Sequence, residues 1–225
     1  MLKGAKINRR NFVQSSLLFS ALTLAGCTSS SRIGGKIAAV PSKRKTAAMY
    51  AALPNEQFPI PAVDLKKVPS RFYRKQVTYP TKEKPGTVIV DTKNFYLYHV
   101  EKDGKAMRYG VGLGRAGFEW SGRARIAWKR PWPTWTPPDE MIARQPELEK
   151  YSARNGGMAP GINNPLGSRA LYIFQGKVDT LYRIHGSPEY WTIGKAVSSG
   201  CVRMINQDVI HLYDRVKSNS SIVVL

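Results

Sequence analysis

The amino-acid order predicts a mainly β domain: a compact β-sandwich of mixed sheets with a C-terminal helix and a lid-like insertion. Three observations predict it. Short runs with strand character follow one another from Gly86, separated by Asp, Asn and Gly turn signals. A single run near the C-terminus has helical spacing instead. Between them, a stretch rich in Pro and Trp fits neither period.

Taken in order, Thr87-Val88-Ile89-Val90 is β-branched and apolar, and Asn94 to Val100 alternates around Phe95, Leu97, Tyr96 and Tyr98. Asp91 to Asn94 reads as the hairpin turn between them, and Asp103-Gly104 as the turn before a strand from Ala106 to Leu113. Further strands are expected at Ala124 to Trp128, Ala170 to Phe174, Tyr182 to His185 and Ile222 to Leu225. Asn206 suits an N-cap, with Ile210, Tyr213 and Val216 spaced along a helix behind it. The prolines of Pro131-Trp132-Pro133-Thr134-Trp135-Thr136-Pro137-Pro138 exclude a helix and a central strand. A helix is expected from Asp139 to Tyr151, followed by Gly/Pro/Asn-rich chain from Asn155 to Gly167. A long insertion inside a small domain is usually a functional lid. Trp128, Trp132 and Trp135 argue that it is ordered, either pinning the loop or stacking on sugar rings.

The chain before Gly86 has another character. Lys3, Lys6, Arg9 and Arg10 precede an apolar run, Phe12 to Ala25, that ends in small residues. This pattern marks residues 1–27 as a secretory signal, the alternatives being an uncleaved anchor or a buried helix. Asn8-Arg9-Arg10-Asn11-Phe12 resembles a twin-arginine export motif, although paired arginines also occur in ordinary signals. Leu24-Ala25-Gly26-Cys27 resembles a bacterial lipoprotein box, which implies diacylglycerol on Cys27 and, with Thr28 next, anchorage at the outer membrane. Residues 28–85 read as a basic, Pro-rich linker or N-terminal extension, mostly irregular and suited to wrapping the domain. Residues 1–84 hold 16 of the 35 Lys and Arg but only 3 of the 15 acids. Export makes nucleic acid an unsuitable partner for that charge. Anionic lipid or an acidic cell wall suits it, as does the role of a solvated tether.

The chain has two cysteines, Cys27 and Cys201. If Cys27 carries lipid, Cys201 is a lone thiol in an oxidising compartment, and such a thiol is worth reading as reactive. A Cys27–Cys201 disulfide and an inert buried thiol are the alternatives. A thiol is only slightly ionised at neutral pH, so a nucleophile needs a base or a positive charge beside it. His185 ends an expected strand, Gly186-Ser187-Pro188 turns the chain, and Ser198-Ser199-Gly200 presents Cys201. A strand–loop–strand return brings His185 to Cys201. Gly200 leaves room for a substrate carbonyl, whose oxyanion the Cys201 N–H and nearby amides can hold. A zinc site on His99, His185, His211 and Cys201 lacks close-spaced ligand pairs.

His185-Gly186-Ser187 followed by Ser198-Ser199-Gly200-Cys201-Val202-Arg203-Met204 resembles the signature of the YkuD-type L,D-transpeptidase catalytic domain. Tyr182-Arg183-Ile184, Ile193-Gly194, Val90-Asp91, Leu97-Tyr98 and Asn164-Pro165-Leu166-Gly167 are similar to that family too. The resemblance covers residues 86–225. Ser187 stands where Thr is commoner, and Ser199 where many members have a second histidine.

The resemblance implies that Cys201 is the nucleophile and His185 the general base, oriented by a backbone carbonyl near position 199. Gly186, Ser187, Ser198, Ser199 and Gly200 then surround the substrate and its oxyanion, and Arg203 binds a carboxylate or forms a structural ion pair. The implied donor is a peptidoglycan tetrapeptide stem, and the acceptor is a second stem or a lysine of an outer-membrane protein. No metal or cofactor is implied, and the implied location is the periplasm. A hydrolytic carboxypeptidase or amidase of the same fold, and a non-catalytic wall-binding lipoprotein, are the rival readings.

Overall fold

The computed structural model describes residues 43–114, 121–198 and 200–225. The signal and lipid-anchor expectations, Cys27 included, lie outside those residues, as does Ser199.

From residue 43 onward the Pro-rich extension is built into the domain rather than linking to it. It contains a helix, α1 (Lys43–Met49), two 3-10 turns and a strand, β1 (Lys75–Thr78). Its apolar residues Tyr50, Val63, Val68 and Phe72 are buried in one cluster with Ile193 and Ile205 of the domain. Prolines keep most of the chain between α1 and β1 irregular, yet irregular chain still buries side chains, and no periodic pattern reveals that it does.

The remaining strands are β2 (Val88–Asp91), β3 (Tyr96–Val100), β4 (Lys105–Gly110), β5 (Gly112–Gly114), β6 (Gly122–Pro131), β7 (Arg169–Gln175), β8 (Val178–Ser187), β9 (Ala196–Ser198), β10 (Val202–Ile205) and β11 (Ser220–Val224). Among the described residues, all eleven join into one mixed sheet ordered β1-β4-β3-β2-β11-β6-β7-β8-β10-β5-β9. The mainly β fold with mixed strands and a C-terminal helix is as expected, its strands being continuous in one large sheet. It encloses a single main core, because inward residues of both halves (Val88, Val90 and Leu97; Leu171, Ile184 and Met204) belong to one cluster. Strand β11 unites the halves, lying parallel to β2 and antiparallel to β6.

The expected turns are present. Asp91 closes the β2–β3 hairpin by accepting the Asn94 N–H at 3.0 Å. Strand β1, which the sequence pattern did not show, pairs antiparallel with β4 and extends the sheet edge.

Helix α3 (Asn206–Tyr213) forms where helical spacing placed it, but a different face is buried. Val209, Leu212 and Val216 are the buried members of the core, with Tyr213 partly buried against them, whereas Ile210 is not part of that cluster. Asn206 is the first helical residue rather than the cap, which is Ile205. The extension is stitched to this helix through buried polar groups. Tyr50 donates its hydroxyl to Asp208 (3.1 Å), Arg74 pairs with Asp208 (3.3 Å), and Gln207 donates to the Ala51 and Pro61 carbonyls. Burial pushes the Asp208 carboxyl up to about 7, against the pull of Arg74. No helix among the described residues is long and apolar enough to cross a membrane.

Phe72→Ala tests whether the extension is structural. The ring is 3% exposed, so its loss is expected to cost about 3–5 kcal/mol in urea unfolding. A residue of a mere tether would cost less than about 0.5 kcal/mol.

Candidate functional site

Strands β8 and β10 run parallel in the register Val202↔Ile184, Arg203↔His185, Met204↔Gly186 and Ile205↔Ser187. Side chains alternate between faces along a strand, and paired residues share a face. Ile184, Val202 and Met204 are in the core, so His185 and Arg203 occupy the opposite face. Cys201, one residue before Val202, continues that face at the level of Arg183. The apolar–polar alternation of both strands thus places the thiol and the imidazole together. Two features fix the approach to Cys201. Gly200 takes φ +129°, a conformation that favours glycine, and the Gly114 N–H donates to the Cys201 carbonyl at 3.2 Å.

His185 is 6% exposed, and its Nδ1–H donates to the Gly186 carbonyl at 2.5 Å. Burial lowers its pKa from 6.5 to about 4, although the Gly186 and Pro165 carbonyls favour the protonated ring. The imidazole is therefore neutral at pH 7. The carbonyls that orient it belong to Gly186, the adjacent residue, and to Pro165, while the expected carbonyl near position 199 lies outside the described residues. Cys201 is half-buried, and desolvation pushes its thiol above the ordinary range. The Arg183 backbone and the charges of Arg183 and Arg203 pull the other way. Each arginine is held by an acid: Arg183 by Asp179 in a two-pronged contact (2.7 and 2.8 Å), Arg203 by Glu189 (3.2 Å) and the Thr192 hydroxyl (2.8 Å). Of the two roles expected for Arg203, the ion pair is formed here, although the side chain also lines the cleft.

Of the other expected residues, Gly186 faces the core, where an added Cβ would run into Asn206 Oδ1. It supports His185 from behind instead of facing substrate. Ser187 lines the cleft but spends its hydroxyl locally, accepting from the Glu189 N–H at 3.1 Å. Ser198 ends β9. Asn206 is the supporting residue that sequence reading misassigned. Its Oδ1 accepts from the Ser168 N–H and hydroxyl (2.9 and 3.1 Å), and its Nδ2 donates to the Ser187 carbonyl (3.3 Å). This clamps the turn after His185 to the start of β7.

The insertion is an ordered lid between β6 and β7. A short helix, α2 (Asp139–Arg144), is followed by a 3-10 turn, Pro146–Tyr151, in place of the continuous helix expected to Tyr151. Pro146 has no N–H to donate and ends the α-helical ladder. Buried Asn164 ties the lid together, its Nδ2 reaching the carbonyls of Pro133, Met158 and Ala159 at 3.1–3.2 Å. Trp135, Met141, Leu148 and Leu166 of the lid, with His185, Cys201 and Arg203, line a cleft of about 360 Å³. Glu56, from the extension, clamps both lid hinges. Its carboxylate takes two Arg169 N–H groups (3.0 and 2.8 Å) and the Trp132 indole N–H (3.1 Å). Glu56 lies far away in sequence, and nothing in its neighbourhood signals the contact.

His211 and His99 lie apart from this cleft, His211 Nδ1 being bonded to the Tyr109 hydroxyl at 2.8 Å. Among the described residues, no three His, Cys, Asp or Glu side chains gather as metal ligands.

A curled mixed sheet carrying a thiol and a neutral imidazole on one face, under an ordered lid, defines a cysteine–histidine cleft. A family model for the YkuD L,D-transpeptidase catalytic domain matches residues 85–224, and the chain belongs to that family. Over 148 residues it is 30% identical to "Probable L,D-transpeptidase ErfK/SrfK" of Escherichia coli K12, covering 61% of this chain and 43% of that protein. "Probable L,D-transpeptidase YbiS" of the same organism is 31% identical over 146 residues, covering 63% and 44%. The chain thus spans less than half the length of these relatives. A crystal structure of a Brucella melitensis protein, described as "Probable carnitine operon oxidoreductase caia", is 46% identical with a TM-score of 0.50. It covers 72% of this chain and 99% of that one.

Two outcomes are expected from this geometry. Glu56→Ala releases both lid hinges, so stability falls by about 2–3 kcal/mol. Amide exchange should then quicken across residues 131–168 more than in the sheet. The second concerns pH. His185 stays neutral down to about 4, whereas the unfolded chain takes up a proton near 6.5. Its contribution to stability is therefore lost as pH falls from about 6.5 to 4. Urea midpoints of His185→Gln should depend less on pH than wild type in that window, and equally above pH 7.

Proposed function

We propose that the chain is an exported cysteine acyltransferase of peptidoglycan, an L,D-transpeptidase acting through a Cys201 thioester. The observation that carries this reading is the β8–β10 register, which sets Cys201 and His185 on one face of one cleft. The neutral imidazole is ready to accept a proton, and Arg183 and Arg203 favour the thiolate once the proton leaves.

In the first step, the Cys201 sulfur bonds to the carbonyl carbon of the third residue of a tetrapeptide stem. The thiol proton passes to His185, and the Cys201 N–H behind Gly200 holds the oxyanion. The oxyanion collapses, the bond to the terminal D-Ala breaks, and His185 returns the proton to the departing amine. In the second step, an acceptor amine attacks the thioester, the carbon–sulfur bond breaks, and the amine's proton reaches the sulfur through His185. A second stem as acceptor gives a 3→3 crosslink, and a lysine of an outer-membrane protein gives a wall-anchored protein. Water as acceptor would make the chain a carboxypeptidase. The apolar lid residues Trp135, Met141, Leu148 and Leu166 disfavour this by limiting water at the thioester. The location proposed is the periplasm, with Cys27 lipidated and anchored at the outer membrane.

Intact-mass analysis after incubation with disaccharide-tetrapeptide, or with a carbapenem, should show an adduct on wild type and none on Cys201→Ala. His185→Ala should slow acylation by about 10²–10⁴. Absence of any adduct on the wild type would overturn the reading. Muropeptide profiles of cells expressing the protein separate the acceptors: more 3→3 crosslinks for transfer, fewer for hydrolysis.

A further inference from the structure

The face that carries Cys201 continues across three strands. Trp128 pairs with Tyr172 in the β6–β7 register, and Tyr172 pairs with Arg183 in the β7–β8 register. Arg183 is level with Cys201. These side chains form a stack: the Trp128 and Tyr172 rings lie 3.5 Å apart at 12°, and the Arg183 guanidinium sits 4.4 Å from the Tyr172 ring centroid. Tyr172 is consequently 9% exposed, whereas Trp128, at the far end, is 39% exposed. Its outer side has no neighbouring strand, because β11 pairs with β6 only from Gly122 to Ile126. Exposed Arg130 lies over the indole, its guanidinium carbon 5.7 Å from the ring centroid, and belongs to none of the ion pairs found among the described residues. Tyr172 is itself buried, but neither ring belongs to one of the apolar clusters found among the described residues.

We propose that Trp128 is a sugar-stacking subsite, which takes the amino sugar bearing the donor stem while Cys201 engages the third residue of that stem. This rests on the donor proposed above. The spacing fits that occupant. Neighbouring strands lie about 4.8 Å apart, so three strand steps from Cys201 to Trp128 span about 14 Å. Three extended residues reach about 10 Å, and the acyl ether joining peptide to sugar supplies the remainder. An indole fixed on one face by Tyr172 is rigid, and a pyranose can lay its C–H surface on the exposed part of that indole when the solvent-exposed Arg130 guanidinium swings aside. Arg130 beside it, and Arg183 below, suit an acidic stem crossing between them.

The test compares two donors with the same stem, one carrying the disaccharide and one without it. On the wild-type full chain, KM should be roughly tenfold lower for the sugar-bearing donor, an increment of the size aromatic stacking gives. In Trp128→Ala the ratio of the two KM values should fall to about one, and Trp128→Phe should restore part of it. A near-ultraviolet circular dichroism spectrum with intact lid signals confirms that both variants fold. A wild-type ratio of one, or a ratio unchanged by Trp128→Ala, overturns the subsite while leaving Cys201 acylation untouched. If neither donor acylates Cys201, the donor reading falls instead. Trp128 is then tested on peptide-free glycan strands, where a tenfold loss of affinity in Trp128→Ala supports the subsite and equal affinity overturns it.

Discussion

The site depends on one pairing, the parallel register of β8 on β10 that sets Arg203 beside His185. A slip of one residue would turn every side chain of β10 over. It would carry Cys201 and Arg203 into the core and push Val202 and Met204 out. Ile184, Val202 and Met204, all but invisible to solvent, make that slip costly, because each buried aliphatic side chain contributes about 1.5–3 kcal/mol. The chemistry on one face is therefore held in register by packing on the other.

Two opposing effects set the charge state of the pair. Desolvation favours the neutral thiol and the neutral imidazole. Arg183 and Arg203 favour the thiolate, yet each spends part of its field on an acid, Asp179 or Glu189. The balance leaves a resting pair without charge separation. In the proposed reaction, charge would appear only as sulfur and carbonyl carbon bond. A permanent thiolate–imidazolium pair would need more water or fewer apolar neighbours than this cleft offers.

What was legible in the sequence followed from periodicity and local chemistry. Most strands from Val88 to Val224, the Asp91 hairpin and helix α3 announce themselves within a few residues, whereas β9 was not among the expected strands and β10 entered only as the return after His185. That Cys201 and His185 share one cleft was legible through the residues that flank them. What was not legible depends on contacts between distant segments. Asn206 is a plausible cap by position, but the Gly167–Ser168 backbone and the Ser187 carbonyl need its amide more than the helix start does. The burial of Phe72 and the reach of Glu56 are long-range facts, encoded in no repeat. Strand order was not legible because, unlike strand existence, it is set by which edges close around the core.

The extension and the lid act mechanically as one unit, and that bears on how the cleft is held open. A loop of thirty-odd residues between β6 and β7 loses substantial entropy on ordering. Internal ties such as Asn164 define its shape without fixing it to the sheet. The fixing falls to the hinges. There Arg169 and Trp132 converge on Glu56, and Phe58 packs edge-on to the Trp132 ring at 4.9 Å. Glu56 is in turn immobilised because the chain on either side is anchored: Tyr50 and Arg74 to Asp208, and Phe72 beneath Ile193 and Ile205. The same helix that receives those anchors holds, through Asn206, the turn behind His185. Lid position and imidazole position thus share a support in α3. A perturbation of the extension is transmitted to the cleft by two routes that meet there, through packed and hydrogen-bonded groups.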